Sequence, residues 1–170
     1  QGWARVKQGK GSFIYVDKTG RAPIPSQFFE CYNVVSFPIP VRVERSSKAG
    51  FVDEKGDYVI EAKFDVARPF VDGYAVVGVN NKQGYINLKG DFIIEPQFYR
   101  ANYFQSGLAR VILKDAETRR KTEGYINEKG EFVVEPTIKM GYARDFSEGL
   151  AAVSMDGEKW GFIDTNGKMV

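Results

Sequence analysis

The chain contains no histidine and a single cysteine, Cys31. Without histidine the commonest general base is missing, as are the Ser–His and Cys–His nucleophile pairs and the commonest transition-metal ligand. One cysteine cannot form an internal disulfide, and it leaves a structural zinc site almost nothing to bind with. Cys31 has no cationic neighbour in sequence and reads as a small buried apolar side chain. No run approaches the roughly 20 apolar residues that cross a bilayer, so membrane insertion is not expected. Nor does one charge sign dominate: 24 Lys and Arg stand against 22 Asp and Glu, interleaved along most of the chain. A nucleic-acid partner, which needs a concentrated positive field, is therefore not expected. Gln1 stands where an initiator Met would be, so a leader or an upstream domain is expected ahead of it.

What the chain does have is apolar content, 43% over 170 residues, which is enough for a sizeable core. It also has internal repetition. A phrase recurs five times: Tyr15-Val16-Asp17-Lys18-Thr19-Gly20, Gly50-Phe51-Val52-Asp53 to Gly56, Gly84-Tyr85-Ile86-Asn87 to Gly90, Gly124-Tyr125-Ile126-Asn127 to Gly130, and Gly161-Phe162-Ile163-Asp164 to Gly167. The closing glycines are 36, 34, 40 and 37 residues apart, one supersecondary unit per copy. Each phrase is a β-branched and aromatic strand running into Asp or Asn. That side chain can accept a backbone N–H two residues on, and three residues later Gly supplies the positive φ that closes the turn.

A second strand follows at once in four copies, as Tyr58-Val59-Ile60, Phe92-Ile93-Ile94, Phe132-Val133-Val134 and Met169-Val170. In the first copy it has decayed to Ala22-Pro23-Ile24-Pro25, where two prolines remove ladder donors. Another strand precedes each phrase: Gly2 to Val6, Val41 to Val43, Gly73 to Val77, Gly107 to Val111 and Gly149 to Val153. Connectors such as Glu95-Pro96-Gln97-Phe98 carry Phe70, Phe104 and Phe146 ahead of the next strand, where they are expected to plug the core between neighbours. No helical period is sustained. The expected fold is all-β: five tandem three-stranded antiparallel meanders, at about 1–36, 37–69, 70–103, 104–145 and 146–170, in a single repeat domain. They are expected to stack as an open solenoid-like or superhelical array. A closed propeller-like ring is the alternative, and three strands per copy count against it.

The residues Lys159-Trp160-Gly161-Phe162-Ile163-Asp164, followed by Gly167 and preceded by Gly149-Leu150-Ala151, resemble the WG-repeat (KWG-repeat) family of bacterial proteins. The resemblance runs along essentially the whole chain. The tryptophan stands only in the last copy; Ala49, Gln83 and Glu123 occupy its place elsewhere, and Ile14 replaces the phrase glycine in the first copy. What the resemblance implies is an interaction module of a bacterial envelope or secreted protein, with no established activity.

Carboxylates recur at Asp17, Asp53 and Asp164, with Glu61, Glu95 and Glu135 nearby. Each Asp falls where a turn wants an Asx side chain, and Asn87 and Asn127, which cannot ionise, take the same place in two copies. Neither a glycosidase pair nor a calcium loop is expected, and no catalytic, cofactor or metal residue is assigned. The aromatics Tyr85, Tyr125, Phe162, Phe92 and Phe132 sit at repeat positions and are expected in the core.

One insertion breaks the pattern. In the fourth copy the hairpin loop lengthens to Lys114 through Glu123, and repeat insertions project toward partners, so Arg119, Arg120 and Lys121 are candidate partner-binding residues. The expected function is non-enzymatic protein binding or scaffolding, with another protein as partner. The alternative is a carbohydrate-binding module that stacks a glycan on Trp3 and Trp160.

Overall fold

The computed structural model describes residues 4–8, 12–22, 30–31, 37–42, 47–139, 141–154 and 156–170. Pro23 onward in the decayed strand, Trp3 and the side chain of Cys31 lie outside the described residues. The described residues form sixteen strands and no helix, in two compact units.

The first unit comprises residues 1–80 and 86–91. In it β1 (Ala4–Gln8) pairs antiparallel with β2 (Ser12–Val16). Next, β3 (Glu30–Cys31), β4 (Ile39–Arg42), β5 (Ala49–Val52) and β6 (Tyr58–Phe64) form a four-stranded antiparallel sheet in that order. β7 (Val66–Ala67) then pairs antiparallel with β8 (Ala75–Val79). The second unit, 81–85 and 92–170, holds β9 (Lys82–Ile86) but for its last residue, next to β10 (Phe92–Phe98). Its four-stranded sheet is β11 (Arg100–Ala101), β12 (Leu108–Lys114), β13 (Lys121–Asn127) and β14 (Phe132–Lys139). A two-stranded sheet of β15 (Leu150–Ser154) and β16 (Trp160–Asp164) completes it. The architecture is all-β, made of the small antiparallel sheets from which an open repeat array is built, and none of them closes into a barrel.

The phrase folds as its residues dictate. In all five copies the Asp or Asn Oδ1 accepts the N–H two residues on, at 2.7–3.0 Å, and the N–H four residues on, at 2.9–3.1 Å. The closing glycines Gly20, Gly56, Gly90, Gly130 and Gly167 have φ between +79° and +88°. A carboxylate and an amide oxygen serve equally here, because the turn asks only for an acceptor.

The strand count differs from expectation. The complete sheets are four-stranded rather than three-stranded, so strand number no longer argues against a ring. The connector does not begin where the second strand was expected to stop. Glu95-Pro96-Gln97-Phe98 belongs to β10, after which the two-residue strand β11 pairs with the following copy, and Glu135 to Lys139 belongs to β14, after which Ala143 makes a single bridge to Val153. The glycines before the next long strand are not strand residues either. Asp72-Gly73, Ser106-Gly107 and Glu148-Gly149 all have φ between +49° and +84° and close two-residue hairpins, with mutual bonds such as Val71 N–H to Tyr74 O and back. Two successive positive φ values are the type I′ signature, whose twist matches the strands it joins.

The phrase glycine has a separate cause. A Cβ on Gly50 would lie 2.6 Å from the Ile60 carbonyl oxygen, and one on Gly124 would lie 2.6 Å from that of Val134 and 2.9 Å from the Pro136 nitrogen. Register shifts at Ala49/Phe51 and Glu123/Tyr125 mark these as bulges where two backbones crowd. Pro136 is tolerated inside β14 because β14 is an edge strand.

The connector phenylalanines act as plugs. Phe70 lies 4.9 Å from the phrase ring of Phe51, Phe104 lies 4.7 Å from Tyr85, and Phe146 lies 5.0 Å from Tyr125, centroid to centroid. Where the phrase ring is Tyr its hydroxyl is satisfied as well: Tyr85 donates to Asn102 O at 2.7 Å and Tyr125 to Arg144 O at 2.6 Å. Around Phe146 the core joins Leu108, Tyr125 and Ile138 of the fourth copy to Ala151, Val153 and Ile163 of the fifth, as a plug between neighbours requires. Of the aromatics expected in the core, Tyr85 and Tyr125 are buried, Phe92 and Phe132 are only half-buried, and Phe162 is 52% exposed, with no connector phenylalanine against it among the described residues.

Candidate functional site

The fourth-copy hairpin is less open than its sequence suggested. β12 and β13 pair from Leu108 opposite Asn127 up to Lys114 opposite Lys121, which leaves a turn of residues 115–120 in place of the expected ten-residue loop. Asp115 organises that turn. Its Oδ1 accepts from Thr118 N at 2.7 Å, Thr118 Oγ1 at 2.8 Å and Glu117 N at 3.1 Å, and these bonds hold its carboxyl below the usual value. Arg119 takes a positive φ of 59°, and Arg119 and Arg120 are both exposed at the tip.

Lys121 sits instead at the start of β13, its Nζ 4.6 Å from the ring centroid of Tyr99. Two further cations flank the same ring, Lys114 at 5.2 Å and Arg100 at 5.9 Å. Lys121 at the phenol oxygen, with the Lys114 and Arg100 charges, holds the Tyr99 pKa below its usual value. Each exposed cation–π contact is worth about 0.5–1 kcal/mol. The hairpin thus presents Lys114, Arg119, Arg120 and Lys121 beside Arg100 and Tyr99, with the acids Asp115 and Glu117 in the same turn, and of these cations sequence reading had named only Arg119, Arg120 and Lys121. Tyr99 and Arg100 escaped it because they reach the hairpin through the strand that follows β10.

Beneath the hairpin lies a polar network. Glu123, only 1% exposed, accepts from Arg110 Nη1 at 2.8 Å, and Arg110 Nε donates to Asp145 Oδ1 at 2.8 Å. Asn102 Nδ2 bonds both Asp145 oxygens, at 2.8 and 3.0 Å. Burial works against the guanidinium charge, but the Asp145 bond and the two carboxylate charges outweigh it and raise the Arg110 pKa. Burial also pushes the Tyr125 phenol well above its ordinary range. The second Glu123 oxygen, Oε2, is buried and has no hydrogen-bond partner among the described residues. One guanidinium between two carboxylates is an ion-pair relay that ties β12, β13 and the 141–149 connector together.

The position before the phrase glycine is used differently in each copy. Gln83 accepts from the Ala101 N–H at 2.9 Å, Glu123 joins the network, and Trp160 lies 44% exposed with the Arg144 guanidinium 4.7 Å from its ring. That guanidinium is itself fixed by the Gly141 and Ala143 carbonyls at 2.9 and 3.2 Å, so it covers one indole face. Trp3 lies outside the described residues.

The recurring carboxylates are held by their turns. The Asp17 pKa is lowered first by the Thr19 hydroxyl, that of Asp53 by the Lys55 N–H and that of Asp164 by the Lys168 N–H. Among the described residues no three His, Cys, Asp or Glu side chains are grouped to hold a metal ion, and no helix is long and apolar enough to cross a membrane.

With this repeated geometry in view, comparison with protein families finds a match to the WG containing repeat, over residues 50–82, 84–115, 124–158 and 160–170. The chain belongs to this family. Each WG match starts at or next to the crowded phrase glycine, so the family's unit runs from one phrase strand through its edge strand and connector to the next long strand. Residues 1–49 lie outside the matches, although Asp17 builds the same turn. No curated protein matches the chain.

Proposed function

We propose that this WG-repeat chain is a non-enzymatic protein-binding or scaffolding module of a bacterial envelope or secreted protein, and that the fourth-copy hairpin is a contact surface for an acidic face of its partner. The observation that carries this reading is the convergence of Arg100, Lys114 and Lys121 around Tyr99, with Arg119 and Arg120 exposed in the turn of the same hairpin, on a chain whose net charge is only +2. Local concentration of one sign on a balanced chain steers association and selects the partner's charge. The carboxylates that catalysis would need support the non-enzymatic reading by their engagement: the phrase Asp side chains hold turns, and Glu123 and Asp145 share one guanidinium.

The test is affinity purification of the tagged chain from envelope and soluble fractions with mass spectrometry, beside a variant with Arg119, Arg120 and Lys121 all changed to Ala. A stoichiometric protein, lost in the variant and released by raised salt, is the expected result. If nothing co-purifies from either fraction, the reading fails.

Glycan binding is the second reading, favoured by the half-exposed indole of Trp160. It requires quenching of tryptophan fluorescence by a glycan, and a flat response across a broad panel removes it.

A further inference from the structure

Among the described residues the ion pairs engage Lys48 and Arg110. No acid pairs with the cations around Tyr99, where Lys121, Lys114 and Arg100 lie 4.6, 5.2 and 5.9 Å from the ring centroid. Lys114 and Lys121 stand directly opposite each other on the ladder of β12 and β13, so both stems leave the sheet on one face. Like charges at such a pair destabilise a sheet. The adjoining turn does not offset them, because the Asp115 carboxylate is engaged by Thr118 and by the Glu117 N–H. The fold itself gains nothing from this pair of lysines.

The phenol adds a neutral donor to the same patch. Tyr99 is half-buried, and Lys121 stands at its oxygen. A lone pair of that oxygen therefore faces an ammonium, and the hydroxyl proton turns away from it toward solvent. A hydroxyl that accepts from a cation is the stronger donor for it. Two ammoniums, one guanidinium fork and one polarised O–H thus lie together with no acceptor among them.

We infer that this patch seats one phosphate monoester carried by a side chain of the partner polypeptide. A phosphate monoester brings a charge of about −1.5 to −2 and three strong acceptor oxygens to a single point. A carboxylate brings one charge and two oxygens, too little for the three cations around the ring. Lysine serves phosphate as a point charge and arginine as a bidentate fork, and the patch holds both. Arg119 and Arg120, exposed in the turn, steer the approach. This inference deepens the protein-binding reading, on which it rests, by giving the chemical group that the hairpin takes from its partner.

The test titrates the 170-residue chain with an otherwise neutral peptide carrying one phosphoserine, and with its serine and glutamate counterparts. Calorimetry reads the binding. Carbon-13 spectra of the tyrosine rings, with Tyr99 assigned from Tyr99→Phe, read its place. Saturable one-to-one binding of the phosphoserine peptide is expected, at least about tenfold tighter than that of the glutamate peptide. The bound dianion disfavours a second negative charge beside it, so the Tyr99 phenol titrates at higher pH in the complex. Lys114→Gln with Lys121→Gln removes the binding, while the thermal unfolding midpoint holds or rises because a like-charge pair is gone. Arg119→Ala with Arg120→Ala weakens it by less than about threefold, as rim charges do. Equal binding of the glutamate peptide, or equal loss in the two double variants, overturns the assignment, since the patch would then be a general basic field. An unmoved Tyr99 titration overturns it too. In capture from envelope and soluble fractions, phosphatase treatment should release the protein partner. A partner lost in the hairpin variant yet indifferent to phosphatase ends this inference and leaves the protein-binding reading standing. A phosphorylated glycan or lipid as the captured species ends both. Phosphoserine binding at Tyr99 with no captured protein keeps the phosphate seat and ends the protein-binding reading.

Discussion

β13 and β16 are the same strand of the same repeat in two environments. β13 has a neighbour on each side, a plug on its aromatic ring and a buried carboxylate where β16 carries Trp160. The residues at the phrase positions barely differ, Gly-Tyr-Ile-Asn against Gly-Phe-Ile-Asp, yet Tyr125 is 0% exposed and Phe162 52%. Burial in this repeat is therefore a property of the following segment more than of the phrase itself, and that can be broken residue by residue.

The largest difference belongs to the plugs. Phe146→Ala removes a fully buried ring from the Tyr125 core and should cost about 3–5 kcal/mol in chemical denaturation. Phe162→Ala, at the equivalent of Tyr125 but unplugged, should cost under about 1 kcal/mol. Equal costs would mean that the exposed ring is anchored by something other than its neighbours.

Next comes the phrase glycine. Gly124→Val drives a side chain into the Val134 carbonyl and should cost about 3 kcal/mol, the upper part of the range for overpacking, whereas Gly161→Val should leave the unfolding midpoint unchanged. Removing Arg110 with Ala strands the buried Glu123 carboxylate. Because Asp145 is 37% exposed at its side chain and can be rehydrated, the cost should fall to about 2–3 kcal/mol, below that of breaking a fully buried pair. Glu123→Gln in the same background should recover part of it.

How much of this was legible in the sequence follows from its spacing. The phrase, its turn and the plugs recur at near-constant distances and chemistry, so Asp17, Asn127 and Phe146 could be placed without coordinates. The two-residue strands β7 and β11 are too short to show any period. Of the type I′ turns only Asp72-Gly73 carries the usual residue pair, while Ser106 and Glu148 are held at positive φ by the hairpins around them. The basic surface was half legible. Arg119, Arg120 and Lys121 are contiguous, but Tyr99 and Asp145 join their partners only through register, which spacing does not encode. Phe162 was misread for a related reason: periodicity identifies a position and says nothing of what packs against it.

The smallest expected effect separates the Asp turns from the Asn turns. In Asp53 and Asp164 backbone N–H groups favour the ionised carboxylate, so the folded pKa lies below the unfolded one. A depressed pKa contributes stability that is fully present above the unfolded value, about 3.9, and is lost as pH falls through the folded value. Asn87 and Asn127 make the same two bonds with an oxygen that does not titrate in this range. Asp164→Asn should therefore flatten the acid limb of a stability profile measured by urea midpoint between about pH 6 and about pH 3, and Asn127→Asp should steepen it, with both variants near the parent at neutral pH. Both carboxylates are solvent-exposed, so added salt should shrink the two effects together. If Asp164→Asn leaves the acid limb as it was, the turn oxygen is serving as a neutral acceptor in both copies, and the repeat's preference between Asp and Asn has no electrostatic content.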